Sequence, residues 1–236
     1  MTTGKGGRAR ARAQITAEIL DAGRRQLATE GAAGLSLRAV ARDVGMVSSA
    51  VYRYVASRDE LLTRLIIEAY DALGATVERA AAGDRHPADR FLAAARAVRA
   101  WAVEHPHEFL LLYGSPVPGY AAPADTIGPA SRPTLALFGI VTDAHRAGAL
   151  APRSPSEAAV ASPLRSDLAA VNQALGTDLP DDVLVAATAA WTQMFGLVGF
   201  ELTGQTRNVV HHHAELFDAC VVAMAEMIGL RADSAP

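Results

Sequence analysis

Between residues 41 and 62 the chain reads ARDVGMVSSAVYRYVASRDELL, a stretch richer in hydrogen-bonding side chains than in packing ones. Ser48, Ser49, Tyr52 and Arg53 bring hydroxyls, a phenol and a guanidinium into one short segment. Groups of these kinds meet base edges and phosphate oxygens. Two other clusters invite a chemical reading. EHPHE, at 104–108, places two histidines and two acids around a proline. It has no third ligand at helical spacing and no nucleophile motif, so it reads as a helix break with solvated charges. HHH, at 211–213, has the composition of a metal site. Neighbours on a helix point about 100° apart, however, so three adjacent rings there do not converge on one ion. No glycine-rich phosphate loop, nucleophile elbow or HExxH pattern occurs. The expectation is no catalytic residue, no metal and no cofactor.

The bulk sequence supplies the setting for these side chains. Of 236 residues half are apolar and few are aromatic, with many alanines and leucines, which favours helices packed on helices. No apolar run looks long enough to cross a bilayer, and no apolar core follows the basic N-terminus as in a signal peptide. Cys220 is the single cysteine and cannot form an internal disulfide. A cytoplasmic protein with no membrane partner is expected. Charge is unevenly spread. Residues 1–70 hold 11 Lys+Arg against 7 Asp+Glu, and the remainder 11 against 18, giving +4 and −7. A basic head on an acidic body turns the head toward a polyanion. Residues 1–13, with Lys5, Arg8, Arg10 and Arg12, are expected to be a basic, disordered arm.

Elements that could position the reactive stretch follow from periodicity. Ile15, Ile19, Ala22, Gly23 and Leu27 predict a first helix stopping near Gly31. Ser36 precedes a second helix with Leu37, Val40, Ala41 and Val44 inward, ending at Gly45. A third runs over about 48–54. A fourth follows Ser57, where Glu60 completes a capping box, and extends to about Ala82. Beyond GDRHP (83–87), Phe91, Ala95, Val98 and Ala102 mark a helix that Pro106 interrupts, and a short one follows over 107–113. Five prolines make 114–133 a loop. Further helices are expected at 134–147, 163–175, 181–203 and 208–229, with a linker at 150–157.

A helix-turn-helix needs a small residue where helices cross, a turn residue tolerating positive φ, and an apolar residue seating the second helix. Ala41, Gly45 and Val51 fall at those offsets. The alternative is a helical hairpin that happens to turn on a glycine. Residues 15–62, with Ile19–Leu20…Gly31, LSLRAVARDVGM, SSAVYRYV and SRDELL, resemble the N-terminal domain of the TetR family of bacterial transcription regulators. That resemblance implies an all-α protein: a three-helix DNA-binding domain (14–60) joined by a long fourth helix to a ligand-binding and dimerisation domain (61–236). It implies phosphate contacts from Ser36, Tyr52 and Arg58, and base contacts from Arg38, Val47, Ser48 and Ser49. For Tyr54 it leaves open a phosphate contact or packing against the first helix. The implied partner is a double-stranded, palindromic operator, because one short helix reads too few bases to be selective.

In the C-terminal part, WTQMFGLVGFELTG (191–204) is similar to a TetR subtype named for a Trp…His-Gly signature, with Phe195 in place of the histidine. The family implies a homodimer through the helices near 181–203 and 208–229. The faces expected there are Val183, Ala187, Ala190, Met194, Leu197 and Val198 on one helix, and Phe217, Val221, Met224 and Ile228 on the other; internal core is the alternative. Trp101, His105, Phe109, Tyr113, Tyr120, Phe138, His145, Trp191 and Phe195 could line a pocket for a small amphipathic ligand, or be core. The function expected is a ligand-responsive repressor, not an enzyme. The alternative is a helical carrier or enzyme with a vestigial head.

Overall fold

The computed structural model describes residues 3–152 and 162–231. Its helices are α1 (Thr3–Gly34), α2 (Leu37–Asp43), α3 (Ser48–Val51), α4 (Arg58–Ala81), α5 (Pro87–Glu104), α6 (Pro106–Tyr113), α7 (Ile127–Arg146), α8 (Ser162–Leu175), α9 (Asp181–Leu202) and α10 (His213–Ile228). A 3-10 turn at Ala124–Thr126 is the other regular element described, so the chain is all-α as expected.

Several expectations change at the level of elements. α1 begins at Thr3, so the segment expected as a disordered arm is helical from there on. The alternating Arg and Ala of 8–13 are strong helix formers and account for it. α7 begins at Ile127, inside the expected loop, and contains Pro133. Pro129 lies in its first turn, where the missing N–H leaves nothing unpaired. α9 has 22 residues and, by length and composition alone, could cross a membrane, against the expectation for any stretch here. Its inward side is packed against its neighbours, with Leu184, Ala190, Met194 and Val198 fully buried. The expected linker at 150–157 lies mostly outside the described residues.

The chain forms two compact units. The first is Met1–Asp71 with His105–Pro129; the second is Ala72–Glu104 with Ala130–Pro236. α6 and the proline-rich segment therefore group with the head, and the division differs from a boundary at residue 60. Within the first unit Ile19, Leu27, Val40, Val51, Val55, Leu61 and Leu62 are buried in one core, and Leu111, Val117 and Tyr120 pack on it. Each such aliphatic side chain contributes roughly 1.5–3 kcal/mol by leaving water. Arg24 of α1 pairs with Glu68 of α4 and with Glu108 of α6 at 3.2 Å. His105 Nδ1 lies 3.2 Å from the other oxygen of Glu108. The EHPHE acids are thus not all solvated charges: Glu108 holds Arg24 on one oxygen and meets His105 with the other.

In the second unit α5, α9 and α10 share a core. Arg99 forks onto Glu201 at 2.6 and 2.8 Å, and Arg96 onto Asp218 at 2.9 and 3.1 Å. Gly74 of α4 lies so close to α7 that an added Cβ would stand 2.8 Å from Arg132 Cβ. Arg132 in turn forks onto Glu78, lowering that carboxyl below its usual range through hydrogen bonds and charge. The faces expected to dimerise are corrected here. Val183, Ala187, Ala190, Met194, Val198, Phe217, Val221, Met224 and Ile228 are all buried within the chain itself. Burial of α9 and α10 against α5 consumes these faces. What remains outward is a different apolar stripe, in which Val185, Phe200, Val222 and Met227 are exposed.

Candidate nucleic-acid interface

The elbow between α2 and α3 is set by hydrogen bonds that only a left-handed residue permits. Gly45 has φ +67, its N–H donates to Arg42 O at 3.1 Å, and Met46 N–H donates to Ala41 O at 2.8 Å. This pair of bonds closes α2 and turns the chain sharply. Ala41, 1% exposed, lies at the crossing. α3 is shorter than the expected 48–54 helix, ending at Val51, but helical bonding continues as turns: Tyr54 N–H to Val51 O at 2.8 Å and Val55 N–H to Val51 O at 3.1 Å. Val51 and Val55 are fully buried and seat the segment on the head.

With its underside fixed, the segment has a defined outer face. Val47 is 71% and Tyr52 47% exposed, and Ser49 and Arg53 are exposed beside them. Ser48 is half-buried at the start of the helix. Arg38 projects to solvent from α2. Ser36 occupies the N-cap position of α2 with extended backbone, yet its side chain makes no capping bond; its N–H donates to Gln26 Oε1 at 3.1 Å. Two residues expected at the interface are engaged inside the head. Arg58 donates through Nε to Leu35 O at 3.2 Å and through Nη2 to Ala32 O at 2.9 Å, closing the end of α1. Tyr54 packs on the core, with the Arg12 guanidinium 5.1 Å above its ring. Arg12 also donates to Arg53 O at 2.9 Å. That tie, between the basic N-terminal segment and the turn after α3, has no pattern in sequence that could have revealed it.

The residues grouped as a ligand pocket divide between the units. His105, Phe109, Tyr113 and Tyr120 belong to the first. Phe109 is 1% exposed, Tyr113 stacks near it and Tyr70, and Tyr120 shares a 2.9 Å hydroxyl bond with Thr63. Burial raises both Tyr70 and Tyr113 above the usual phenol range. Trp101, Phe138, His145, Trp191 and Phe195 belong to the second, where Trp101 and Phe195 are buried and His145 half-buried. Phe138 and Trp191 meet around a void of only about 10 Å³ with Phe91, Leu137 and Met194. Trp191 Nε1 is buried without a hydrogen-bond partner among the described residues. The more spacious cleft, about 400 Å³, lies elsewhere: between the end of α1, α6 and residues 115–118 of the proline-rich segment. None of the nine expected pocket residues lines it. At HHH only His213 is helical, and no group of metal-ligating side chains converges among the described residues.

Comparison with known proteins agrees with this geometry. Residues 19–65 match the model of bacterial regulatory proteins of the tetR family, and residues 91–224 that of the tetracyclin repressor-like C-terminal domain. HTH-type transcriptional regulators of Mycobacterium tuberculosis and Mycobacterium bovis are 48% identical over 205 residues, 85% of this chain and 86% of theirs. The solved structure of SCO4313, a protein designated as regulatory, is 33% identical, with TM-score 0.73 over 92% of this chain and 98% of that one. PfmR of Thermus thermophilus, a TetR family transcriptional regulator, shares the fold at TM-score 0.60 and 15% identity, over 91% of this chain and 99% of that one. An elbow built on Gly45, a solvent-facing polar segment and these matches along both units have one reading: the chain belongs to the TetR family and is a DNA-binding transcription regulator.

Proposed function

We propose that this regulator is a cytoplasmic homodimeric repressor that holds a palindromic operator and lets go of it when a small organic effector binds. The observation that carries the DNA side is the seating of α3. Val51 and Val55 are fully buried beneath it, while Ser49, Tyr52 and Arg53 stand outward with Arg38. Arg38, Val47, Ser48 and Ser49 address base edges, and Ser36 and Tyr52 address the backbone. Arg58 and Tyr54 act from behind, by holding the ends of α1 and α3.

Dimerisation is supported by the outward stripe of α9 and α10. No charged residue occurs on α9 between Val183 and Phe200. A Cβ placed on Gly196 or Gly199 meets nothing within 4 Å inside the chain, so their smallness serves no internal contact. Two copies of that face would bury uncharged surface and let helices approach closely. Effector control through the second unit would begin at the Phe138–Trp191 void, where Trp191 Nε1 offers a hydrogen bond to a ligand that widens it. α4 runs from the first unit into the second and could carry the change as an altered spacing of the two α3 segments.

Selection from a pool of random duplex DNA tests the reading. Recovery of a two-fold symmetric sequence with half-sites about one helical turn apart, or a multiple of it, is the expected result. Equal affinity for unrelated duplexes would overturn it.

A further inference from the structure

The cleft of about 400 Å³ in the first unit has no part in the DNA-facing surface. We propose that it is a second effector site, built into the head itself, for a compact, uncharged, mostly apolar molecule with one polar group. For its regulatory consequence this inference rests on the DNA-binding reading; for ligand binding it does not.

The lining sets the chemistry. Leu27 of α1, Leu110 and Leu111 of α6, and Pro116, Val117 and Pro118 form apolar walls. His107 and Ser115 also line it, both exposed, and the backbone of Gly31–Ala33 completes the rim. No Asp, Glu, Lys or Arg lines the cleft, so a charged ligand would lose its hydration with no counter-charge to replace it. The volume lies within the range of small-molecule sites and suits about a dozen heavy atoms. Collapse of the void is opposed by its own walls. Pro116 and Pro118 have fixed φ, and the α1 backbone is bent at Gly31, where φ is +68. The Ser115 hydroxyl and His107 imidazole can each hydrogen-bond a single hydroxyl or carbonyl on the ligand.

Position gives the site its leverage. Ala32 lines the cleft, and its carbonyl accepts the Arg58 hydrogen bond that ties α1 to the first residue of α4. Ser36 and α2 begin only a few residues further on. A molecule seated against Ala32 and Ala33 therefore presses on the joint from which the helix-turn-helix is hung. Occupancy shifts operator affinity to the extent that the bound and free heads hold that joint differently.

Para-butylphenol is the probe, titrated calorimetrically into the full chain. The expected result is one saturable site per protomer, weakened about tenfold or more by Val117→Trp, which fills the cleft. Ser115→Ala, a change too small to disturb folding, weakens it about threefold. Trp191→Phe in the second unit leaves it unchanged. Operator binding of the wild type, on the duplex recovered by selection, shifts at least about threefold with saturating probe, and not at all in Val117→Trp. Absence of saturable binding overturns the site, as does binding indifferent to both cleft variants or lost through Trp191→Phe. Saturable binding without a shift in operator affinity overturns the regulatory role. Failure to recover any preferred duplex would fall on the DNA-binding reading, leaving the titration to decide the site.

Discussion

Arg58 bears on the DNA-binding head through bonds made inside it. Its guanidinium closes the carbonyl end of α1 through Leu35 O and Ala32 O. Arg58→Met should therefore lower folding stability by about 1–2 kcal/mol, from loss of charge-assisted bonds at a partly exposed site. A phosphate contact would instead leave stability alone and flatten the salt dependence, log K against log salt, by about 0.9. Thermal melts and a salt titration on the same variant separate the two. Tyr52 behaves in the opposite way. At 47% exposure it contributes little to the core, so Tyr52→Phe should leave the melt unchanged. Operator affinity should fall about fivefold, the loss of one hydrogen bond, read by anisotropy. Equal affinity in the two proteins would remove Tyr52 from the interface. The sequence made both residues visible as polar side chains at suggestive offsets. It could not tell them apart, because whether a guanidinium turns to solvent or to a carbonyl 23 residues away depends on tertiary approach.

Elements were legible where local rules suffice. The α2–α3 elbow follows from Gly45 in a left-handed turn, and the start of α4 from Ser57, whose Oγ accepts the Glu60 N–H at 3.0 Å. Gly45→Ala should cost about 1 kcal/mol in strain and weaken operator binding further by re-aiming α3, observable as a lower melting temperature together with reduced affinity. Elements were misread where the decisive partner is distant. Pro129 and Pro133 look like loop residues, yet α7 forms through them. The closely packed Gly74 and the Arg132–Glu78 fork hold it against α4. That fork also predicts a pH response. The folded Glu78 carboxyl titrates below its unfolded value, so its stabilising effect is present above the unfolded value. It is lost as pH falls through the lowered folded value. Acid melts of the wild type should thus converge on those of Glu78→Gln once pH falls below the lowered folded value, and diverge toward neutrality. Parallel curves throughout would mean that the fork contributes nothing.

At the scale of the whole molecule, the question is which side of α9 and α10 faces a second copy. The family resemblance, laid on the apolar faces of these helices, pointed to Val183, Met194, Phe217 and Ile228, with internal core as the alternative. Regular repetition marks the side buried inside the chain, where packing density makes every methylene count. An interface between copies needs only a broad uncharged patch, on the order of 800 Å² from each partner. On α9 the outward side carrying Val185, Gly196 and Phe200 is uncharged, and on α10 Ala223 and Met227 are outward beside the exposed Glu226. Phe200, 57% exposed, is the largest apolar group among them. Phe200→Glu places a charge within the proposed contact in each copy, which like-charge repulsion and lost apolar burial both oppose. Helical content should be unaltered, because the side chain is not part of the chain's own core. Sedimentation should report monomers at concentrations where the wild type is paired. Operator affinity should fall far more than through any single contact on α3, since each head would then read its half-site alone. A Phe200→Glu protein that sediments with the wild type would place the two-fold axis on another surface, whatever its effect on DNA.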